Sequence, residues 1–304
     1  MKARRGGTDL SGVLLLDKPQ GPTSHDAIAK LRAATGERRI GHAGTLDPMA
    51  TGLLIVLIGR ATRLEQYLVG HDKQYEARIV FGAETDTLDA EGAVTESAPV
   101  PAEVSDPAWA SELLKGFLGE QKQMPPAYSA LKRDGVPAHR IARAGGEPVL
   151  DPRLITVYAA DLAGIDSTLP AWDVVFSVSK GTYIRSLARD IGRAAGTRAH
   201  LGALRRTHVG LARVTDALTL PDAVAAAEAE NLPECFCDPV SLLGFPSLEV
   251  AAELVRDGKP LADDAPRAEG ERVSVVTPER LLAVYRRAGE RLDPESVLVP
   301  GVTR

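Results

Sequence analysis

Two stretches far apart in the chain alternate apolar and polar side chains, and this pattern limits the possible folds more than any other feature. Residues 75–81 and 172–178 both place an apolar side chain at every second position. A period of two is typical of a β-strand with one buried face. The apolar run 53–58 has no such alternation and predicts either a fully buried strand or a buried helix.

Helical patterns occur between these strands without a regular rhythm. Apolar residues at i, i+3, i+4 and i+7 from Ile184 to Ile191 predict a helix with one buried stripe, capped by Thr182. Ser24 is expected to cap an earlier helix, and residues 222–230 predict a later one. The irregular order favours an α+β fold over a doubly wound parallel sheet.

The chain is expected to have a mobile basic tail over 1–10 and a large domain over 11–230. Residues 231–246 contain three prolines and both cysteines and are interpreted as a linker. Residues 247–304 predict a small, mostly β module with a short helix over 248–256 near its start. Within the large domain, the proline-containing stretch 96–109 is interpreted as a surface connection.

Composition excludes several classes of protein. With 44% apolar and 25% charged residues in 304, the chain is globular rather than disordered. Cys235 and Cys237 cannot form a disulfide framework, and the N-terminus does not resemble a signal peptide, so we expect a cytoplasmic protein. The longest apolar run is far shorter than the ~20 residues that span a bilayer, so no membrane helix is expected.

The sequence also lacks the usual signatures of cofactor binding. It has no G-x-x-x-x-G-K-[ST] motif and no G-x-G-x-x-G after a strand. None of the six histidines has metal-ligand spacing, so we expect neither a metal nor a nucleotide cofactor. Because the net charge is -5, a nucleic acid would have to bind a local basic patch.

The first candidate for chemistry is the glycine-rich segment 41–52. Its three glycines permit unusual backbone angles and the close approach of a ligand. Its carboxylate, Asp47, can serve as a nucleophile or base if a cation keeps it ionised. The alternative is structural, since Asp47 can also cap a short turn that begins at Pro48.

The second candidate is the segment 179–206, which holds seven Lys/Arg residues against Asp190. Such an imbalance fits a polyanion-binding surface. Arg185 falls in the first turn of the predicted helix, where the helix dipole disfavours a cation, so it suggests an anionic partner such as Asp47. Arg189 and Arg193 continue the stripe and fit either a ligand-binding or a solvated face.

Two tyrosines complete the candidates that the residues alone provide. Tyr75 begins a predicted strand and Tyr183 begins the predicted arginine-bearing helix. Either ring can stack on an unpaired base, and either can equally be a half-buried core residue.

Together these segments resemble the TruB family of tRNA pseudouridine synthases. The resemblance spans about residues 12–210 and runs in the family's order. Its motifs are LDKPQGPTS at 16–24, GHAGTLDPMATG at 41–52 continuing through GRAT at 59–62, KQY at 73–75, DT at 86–87 with Asp89, PAYSALK at 126–132, and SKGTYIR at 179–185 with LRR at 204–206.

The resemblance implies isomerisation of uridine-55 in the T loop of tRNA to pseudouridine, without a cofactor. Asp47 would be the nucleophile, attacking either the ribose C1′ or the base C6. Arg185 would pair with Asp47, and Tyr75 would stack on the target base and help remove the proton at C5. The further substrate-binding residues that it implies are His42, Tyr183, Leu204, Arg63 and Lys132.

The resemblance also implies a fold and a partner. The fold would be that of the pseudouridine synthases, with a central mixed or antiparallel sheet flanked by helices and a C-terminal PUA-like RNA-binding module. The partner would be the tRNA T-stem-loop, bound by a monomer that needs no other protein. Two alternatives remain open: a non-catalytic tRNA-binding or chaperone protein, and a guide-RNA-dependent relative that acts on ribosomal RNA with protein partners.

Overall fold

The computed structural model describes residues 8–129, 132–133, 136–144, 146, 148–166 and 168–304. The chain divides into two compact units. Unit 1 comprises the chain up to His71 together with Gly210–Arg304, and unit 2 is Asp72–Val209. Residues 1–7 of the predicted mobile tail lie outside the described part of the chain.

The N-terminal part of unit 1 is built on a buried antiparallel pair. Its elements are β1 (Gly12–Lys18), α1 (Ser24–Thr35), β2 (Ile40–His42), β3 (Thr51–Ile58), a 3₁₀ helix (Gly59–Leu64) and α2 (Glu65–Leu68). β1 pairs with β3 from Gly12 opposite Ile58 to Lys18 opposite Gly52, and β2 covers the end of β3. The apolar run 53–58 is therefore a strand, with every side chain almost fully buried.

The cap of α1 differs from the prediction. Thr23 is the N-cap, and it forms a capping box with Asp26. Ser24 is instead buried in the first turn, where its hydroxyl donates to the Leu46 carbonyl (3.1 Å) and accepts from the Leu46 N–H (2.9 Å). The predicted cap thus fastens α1 to the loop that carries Asp47.

Unit 2 contains an antiparallel sheet with the strand order β12-β4-β11-β10-β7. Its elements are β4 (Lys73–Phe81), β5 (Ala83–Thr85), β6 (Val94–Ser97), a 3₁₀ helix (Ala102–Ser105), α3 (Pro107–Lys115), β7 (Gly119–Gln123), β8 (Lys132–Arg133), β9 (Val136–Pro137), α4 (Ala138–Arg143), β10 (Arg153–Asp166), β11 (Ala171–Val178), α5 (Ile184–Ala194) and β12 (Ala199–Val209). The two alternating stretches are β4 and β11, as predicted, and they are neighbours.

Most of the stretch 96–109 is exposed, as expected of a surface connection, but it is not irregular. The stretch contains the end of β6, the 3₁₀ helix and the start of α3, whose N-cap Asp106 accepts from the N–H groups of Ala108 (2.8 Å) and Trp109 (3.4 Å). Asp before Pro is a helix-start signal, because proline suits the first helical turn. The Val104 carbonyl accepts from the buried indole of Trp172, so the stretch closes part of the core.

The predicted arginine-bearing helix exists as α5, but its cap also differs. Ile184, Leu187, Ala188 and Ile191 are buried, which confirms the predicted stripe. The N-cap is Tyr183 rather than Thr182, and the Thr182 hydroxyl donates to the Ser179 carbonyl (3.0 Å). The start of α5 is held by another element, because the Tyr183 N–H donates to the Gln123 side chain (2.9 Å).

The C-terminal part of unit 1 adds a second sheet, of order β15-β17-β18-β19-β16. Its elements are β13 (Ala212–Arg213), a 3₁₀ helix (Val214–Asp216), β14 (Leu218–Thr219), α6 (Leu220–Glu228), a 3₁₀ helix (Leu232–Cys235), α7 (Pro239–Leu243), β15 (Ser247–Glu249), α8 (Ala252–Val255), β16 (Leu261–Ala262), β17 (Arg272–Val276), β18 (Arg280–Ala288) and β19 (Arg291–Thr303). The predicted helix over 248–256 is split between β15 and α8. The β14–β1 pair is parallel, so the predicted α+β class with a mixed sheet is confirmed.

Residues 231–246, predicted to be a linker, pack against the N-terminal part of unit 1. The Cys237 N–H donates to the Val13 carbonyl of β1 (2.9 Å), and the Phe245 ring meets the Tyr67 ring edge-on. Burial raises the pKa of the Cys237 thiol to about 12, so this thiol stays protonated at neutral pH. The boundaries of the linker and of the 247–304 module stay predictions. No helix in the described part of the chain is long and apolar enough to cross a membrane.

Lys18 provides a stability test of unit 1, because its buried ammonium group donates to the carbonyls of Pro19 (2.8 Å), Pro22 (2.8 Å) and Pro48 (3.4 Å). Lys18→Met leaves these acceptors without that donor, so we expect the free energy of unfolding to fall by about 3 kcal/mol. Urea unfolding measures this change, with the exposed Lys30→Met as control. Equal stability of the two variants would contradict this role.

Candidate active site

Asp47 lies in the loop between β2 and β3, and its side chain is partly exposed. Backbone bonds fix the loop at both ends: the Ala43 N–H donates to Ile55 (3.0 Å) and the Ala50 N–H donates to the Asp47 carbonyl (3.1 Å). Gly44 has a φ of 108°, in the region that favours glycine. A carboxylate on such a loop is held at the surface of a rigid hairpin.

The segment 18–22 stabilises the turn that follows Asp47. The Pro48 carbonyl accepts from the Gly21 N–H (2.9 Å) and from the Lys18 ammonium (3.4 Å). Hydrogen bonds from Lys18 and Gly21 therefore stabilise the loop that carries Asp47.

Two further predicted residues of unit 1 have visible partners. The ring of His42 is partly exposed, with its centroid 5.6 Å from that of His25 and edge-on to it. The exposed Arg63 donates to the Val297 carbonyl in β19, so its guanidinium links the 3₁₀ helix to the C-terminal sheet. Substrate contact by either residue stays a prediction.

Arg185 is buried in unit 2, with 6% of its surface exposed. It donates to the carbonyls of Thr87 (2.9 Å) and Tyr128 (3.0 Å), and it forms an ion pair with Asp89 at 3.5 Å. These partners come from two different loops, so the guanidinium fixes both to the start of α5. The predicted pairing of Arg185 with Asp47 stays a prediction.

Asp89 is a buried acid whose role the residue-by-residue reading missed. Its carboxylate accepts from the Thr87 hydroxyl (2.6 Å) and the Glu91 N–H (3.1 Å), in addition to the Arg185 ion pair. Leu88, which lies between Thr87 and Asp89, has a φ of 63°. This conformation costs a non-glycine residue energy and often marks functional sites. The signal for Asp89 in the sequence is its place in the 86–89 segment, which resembles the TruB family.

Tyr75 and Leu204 lie on one face of neighbouring strands. Tyr75 in β4 is opposite Arg206 in β12, and Leu204 is opposite Ala77. Directly opposed residues share a face, so Tyr75 and Leu204 are diagonal neighbours, each 8% exposed. The structure thus brings together the two residues predicted to hold the base.

Two positively charged side chains are buried close to Tyr75, one on β12 and one on β4. Arg206 is 1% exposed, and the buried Lys73 lies two residues from Tyr75 on the same face. Burial, with the nearby charges of Arg206 and Lys180, lowers the pKa of Lys73 to about 8. The sequence analysis counted Arg206 only within the basic segment 179–206 and gave Lys73 no role.

Tyr183 and Lys132 complete the predicted set. The backbone of Tyr183 is clamped by Gln123, whose amide accepts from the Tyr183 N–H and donates to its carbonyl (3.0 Å). Its ring is partly exposed. The side chain of Lys132 lies outside the described part of the structure, so its predicted role stays a prediction.

The predicted surplus of positive charge in 179–206 is partly offset. Acidic partners are Asp89 for Arg185, Asp190 for Arg189 (2.8 Å), Glu84 for Arg193 (2.7 Å) and Glu96 for Arg198. Three of these acids come from 84–96, a segment distant in sequence. The expectation of an unbalanced basic surface is therefore wrong for these four arginines.

Family models match most of the described chain. Residues 32–184 match the TruB family pseudouridylate synthase N-terminal domain, and residues 185–240 match the tRNA pseudouridylate synthase B C-terminal domain. The second match ends before the predicted 247–304 module. The PUA-like nature of that module stays a prediction.

Individual relatives support the same assignment. The chain is 50% identical over 229 residues to tRNA pseudouridine synthase B of Opitutus terrae, covering 74% of this chain and 90% of the relative. It is 44% identical over 301 residues to the protein of that name from Burkholderia lata, covering 95% and 91%.

A solved structure shares the fold. A chain in an H/ACA RNP bound to a substrate RNA containing 2′-deoxyuridine aligns with a TM-score of 0.71 and 26% identity, covering 95% of this chain and 85% of that one. The predicted pseudouridine-synthase fold is confirmed. The chain belongs to the TruB family of pseudouridylate synthases.

Proposed function

We propose that this enzyme isomerises uridine-55 in the T loop of tRNA to pseudouridine, without a cofactor. One observation carries the proposal: a partly exposed carboxylate, Asp47, is fixed on a braced loop inside the segment that matches the TruB model. Relatives named tRNA pseudouridine synthase B, similar over most of the chain, support tRNA as the substrate.

The reaction breaks the C1′–N1 bond of uridine, forms a C1′–C5 bond, and moves the C5 proton to solvent while N1 gains one. The target base must first leave its stack, at a cost of a few kcal/mol. Asp47 then attacks, at either C1′ or C6, and Tyr75 supports the base and helps remove the C5 proton. Tyr183 and Leu204 hold the uracil, and His42 contacts the RNA where the bases leave the loop.

A single carboxylate suits isomerisation better than hydrolysis. Glycoside hydrolases normally use a pair of carboxylates flanking the bond. A covalent sugar intermediate would also be lost to water in an open site. The second acid found here, Asp89, is 4% exposed and already accepts three donors, so it serves to position Arg185 and not as a second catalyst.

The similarity to the chain in the H/ACA RNP raises a second candidate, a guided enzyme that needs partners. We propose instead that this enzyme acts alone, as a monomer, in the cytoplasm where tRNA is modified. An isolated, unmodified T-stem-loop incubated with the purified chain should then be converted to pseudouridine. Conversion that appears only after partner proteins or a guide RNA are added would contradict this proposal.

Thr87 provides a test of how Arg185 is positioned. Thr87→Val removes the hydroxyl that donates to Asp89 at 2.6 Å, so the carboxylate is less firmly held under Arg185. Because a hydrogen bond to a charged group contributes about 1.5–3 kcal/mol, we expect the single-turnover rate to fall about 10-fold or more with tRNA affinity unchanged. Thr87→Ser should restore the rate, and equal rates for both variants would refute this role.

A further inference from the structure

Arg60 is a half-buried cation without a protein partner among the described residues. It follows β3, in the first turn of the 3₁₀ helix Gly59–Leu64. Its backbone N–H donates to the Ser11 hydroxyl (3.2 Å), but its guanidinium makes no hydrogen bond or ion pair within the described part of the chain. Because Arg60 is only partly buried, water can reach its guanidinium, and an anion at that position would add a charge-assisted pair.

The positive charges of neighbouring arginines repel the Arg60 guanidinium. Burial, followed by the charges of Arg39 and Arg63, lowers the pKa of the Arg60 guanidinium, while Asp9 acts more weakly in the opposite direction. The nearby carboxylate of Glu37 accepts from the Thr8 N–H and hydroxyl (3.0 Å each) and from the Arg39 N–H (2.8 Å). It also pairs with the Arg39 guanidinium (3.4 Å), so Arg39 has an anionic partner and Arg60 does not share it.

Arg60 and Arg39 line an open surface cavity in unit 1, and the carboxylate of Asp9 also lies in its wall. Its other walls are residues 8–11 and Pro300 with Gly301. The walls are closely fitted: the Gly59 N–H donates to the Arg39 carbonyl (2.7 Å), and a Cβ on Gly59 would lie 2.1 Å from the Leu10 carbonyl oxygen. The cavity is therefore part of the packed structure of unit 1.

We propose that the Arg39–Arg60 cavity binds a backbone phosphate of tRNA outside the T-stem-loop, an inference that rests on the proposed function. The guanidinium fork suits phosphate oxygens, and a bound anion would offset the repulsion between the two arginines. The eight residues of β3 separate the Asp47 loop from Arg60, about 25 Å at 3.3 Å per residue. The phosphate therefore belongs to RNA beyond the target loop.

The test compares binding of a full-length tRNA transcript and of the isolated T-stem-loop. For Arg60→Gln, we expect the Kd for full-length tRNA to rise about 3- to 10-fold, and the slope of log K against log salt to become shallower by about 1. The Kd for the stem-loop should not change. Arg60→Lys should keep the wild-type salt slope, and Arg38→Gln, which removes an exposed arginine outside the cavity, should match the wild type.

Unchanged affinity and salt slope for full-length tRNA would overturn the proposal. Equal weakening for the stem-loop would also overturn it, because the contact would then lie within the T-stem-loop. Pseudouridine formation on the stem-loop, measured in parallel for wild type and Arg60→Gln, tests the proposed function separately. Its absence in the wild type would defeat that function, whereas the binding comparison would still decide whether the cavity contacts RNA.

Discussion

Asp47→Asn is expected to lower the rate of pseudouridine formation by at least about 10⁴-fold, since losses of this size follow removal of a nucleophile. The amide is isosteric with the carboxylate but cannot form the covalent adduct. The loop should keep its shape, because its fixed contacts run through the backbone of Ala43, Ala50 and Pro48. Quenched-flow or tritium-release assays on a tRNA transcript measure the rate.

The Asp47→Asn variant also distinguishes between two hypotheses, an enzyme and a non-catalytic tRNA-binding protein. Filter binding should give a Kd for tRNA within a few-fold of the wild type. Asp264→Asn, at an exposed acid of the C-terminal sheet region, is the matched control and should keep full activity. An Asp47 variant with unchanged product yield would remove this residue from the mechanism.

Arg185→Lys is expected to lower the rate by about 10²- to 10³-fold, although the charge is retained. The guanidinium reaches Thr87, Tyr128 and Asp89 at once, and an ammonium group cannot reproduce that geometry. The lost bonds are buried, and each is worth about 1–3 kcal/mol. The melting temperature should therefore also fall, and single-turnover rates should be measured well below it.

The control for Arg185 is Arg198→Lys, which alters an ion pair with Glu96 at a more exposed position. Exposed ion pairs contribute little, so that variant should match the wild type in rate and stability. An Arg185→Lys enzyme with wild-type activity would show that the fork geometry has no part in catalysis. A loss of rate explained entirely by weaker tRNA binding would also contradict the positioning role.

The parts of the fold that the sequence predicts are those specified by local periodicity. The alternation in β4 and β11 and the apolar stripe of α5 appear in the structure as predicted. Errors arise where neighbouring residues compete for one role. Ser24 and Thr182 were predicted as caps, but the adjacent Thr23 and Tyr183 occupy those positions because the two hydroxyls find carbonyl partners elsewhere.

The sequence predicts those residues of the candidate site that lie within recognisable motifs. Asp47, Tyr75 and Arg185 are identified by their segments, and the structure gives Tyr75 and Leu204 a common face. Thr87 and Asp89, which hold Arg185, and the acids paired with Arg193 and Arg198 come from strands and loops about 100 residues away. Net charge along a segment does not contain such pairings, so the basic surface was overestimated and Asp89 was missed.

The central claim is that this chain places a carboxylate against one uridine of tRNA. The most direct test is incubation of an unmodified tRNA transcript with the purified chain, followed by base-resolved mapping of pseudouridine. We predict complete conversion at uridine-55 and none at other uridines, without added cofactor. An unmodified uridine-55, or pseudouridine at another position instead, would contradict the account.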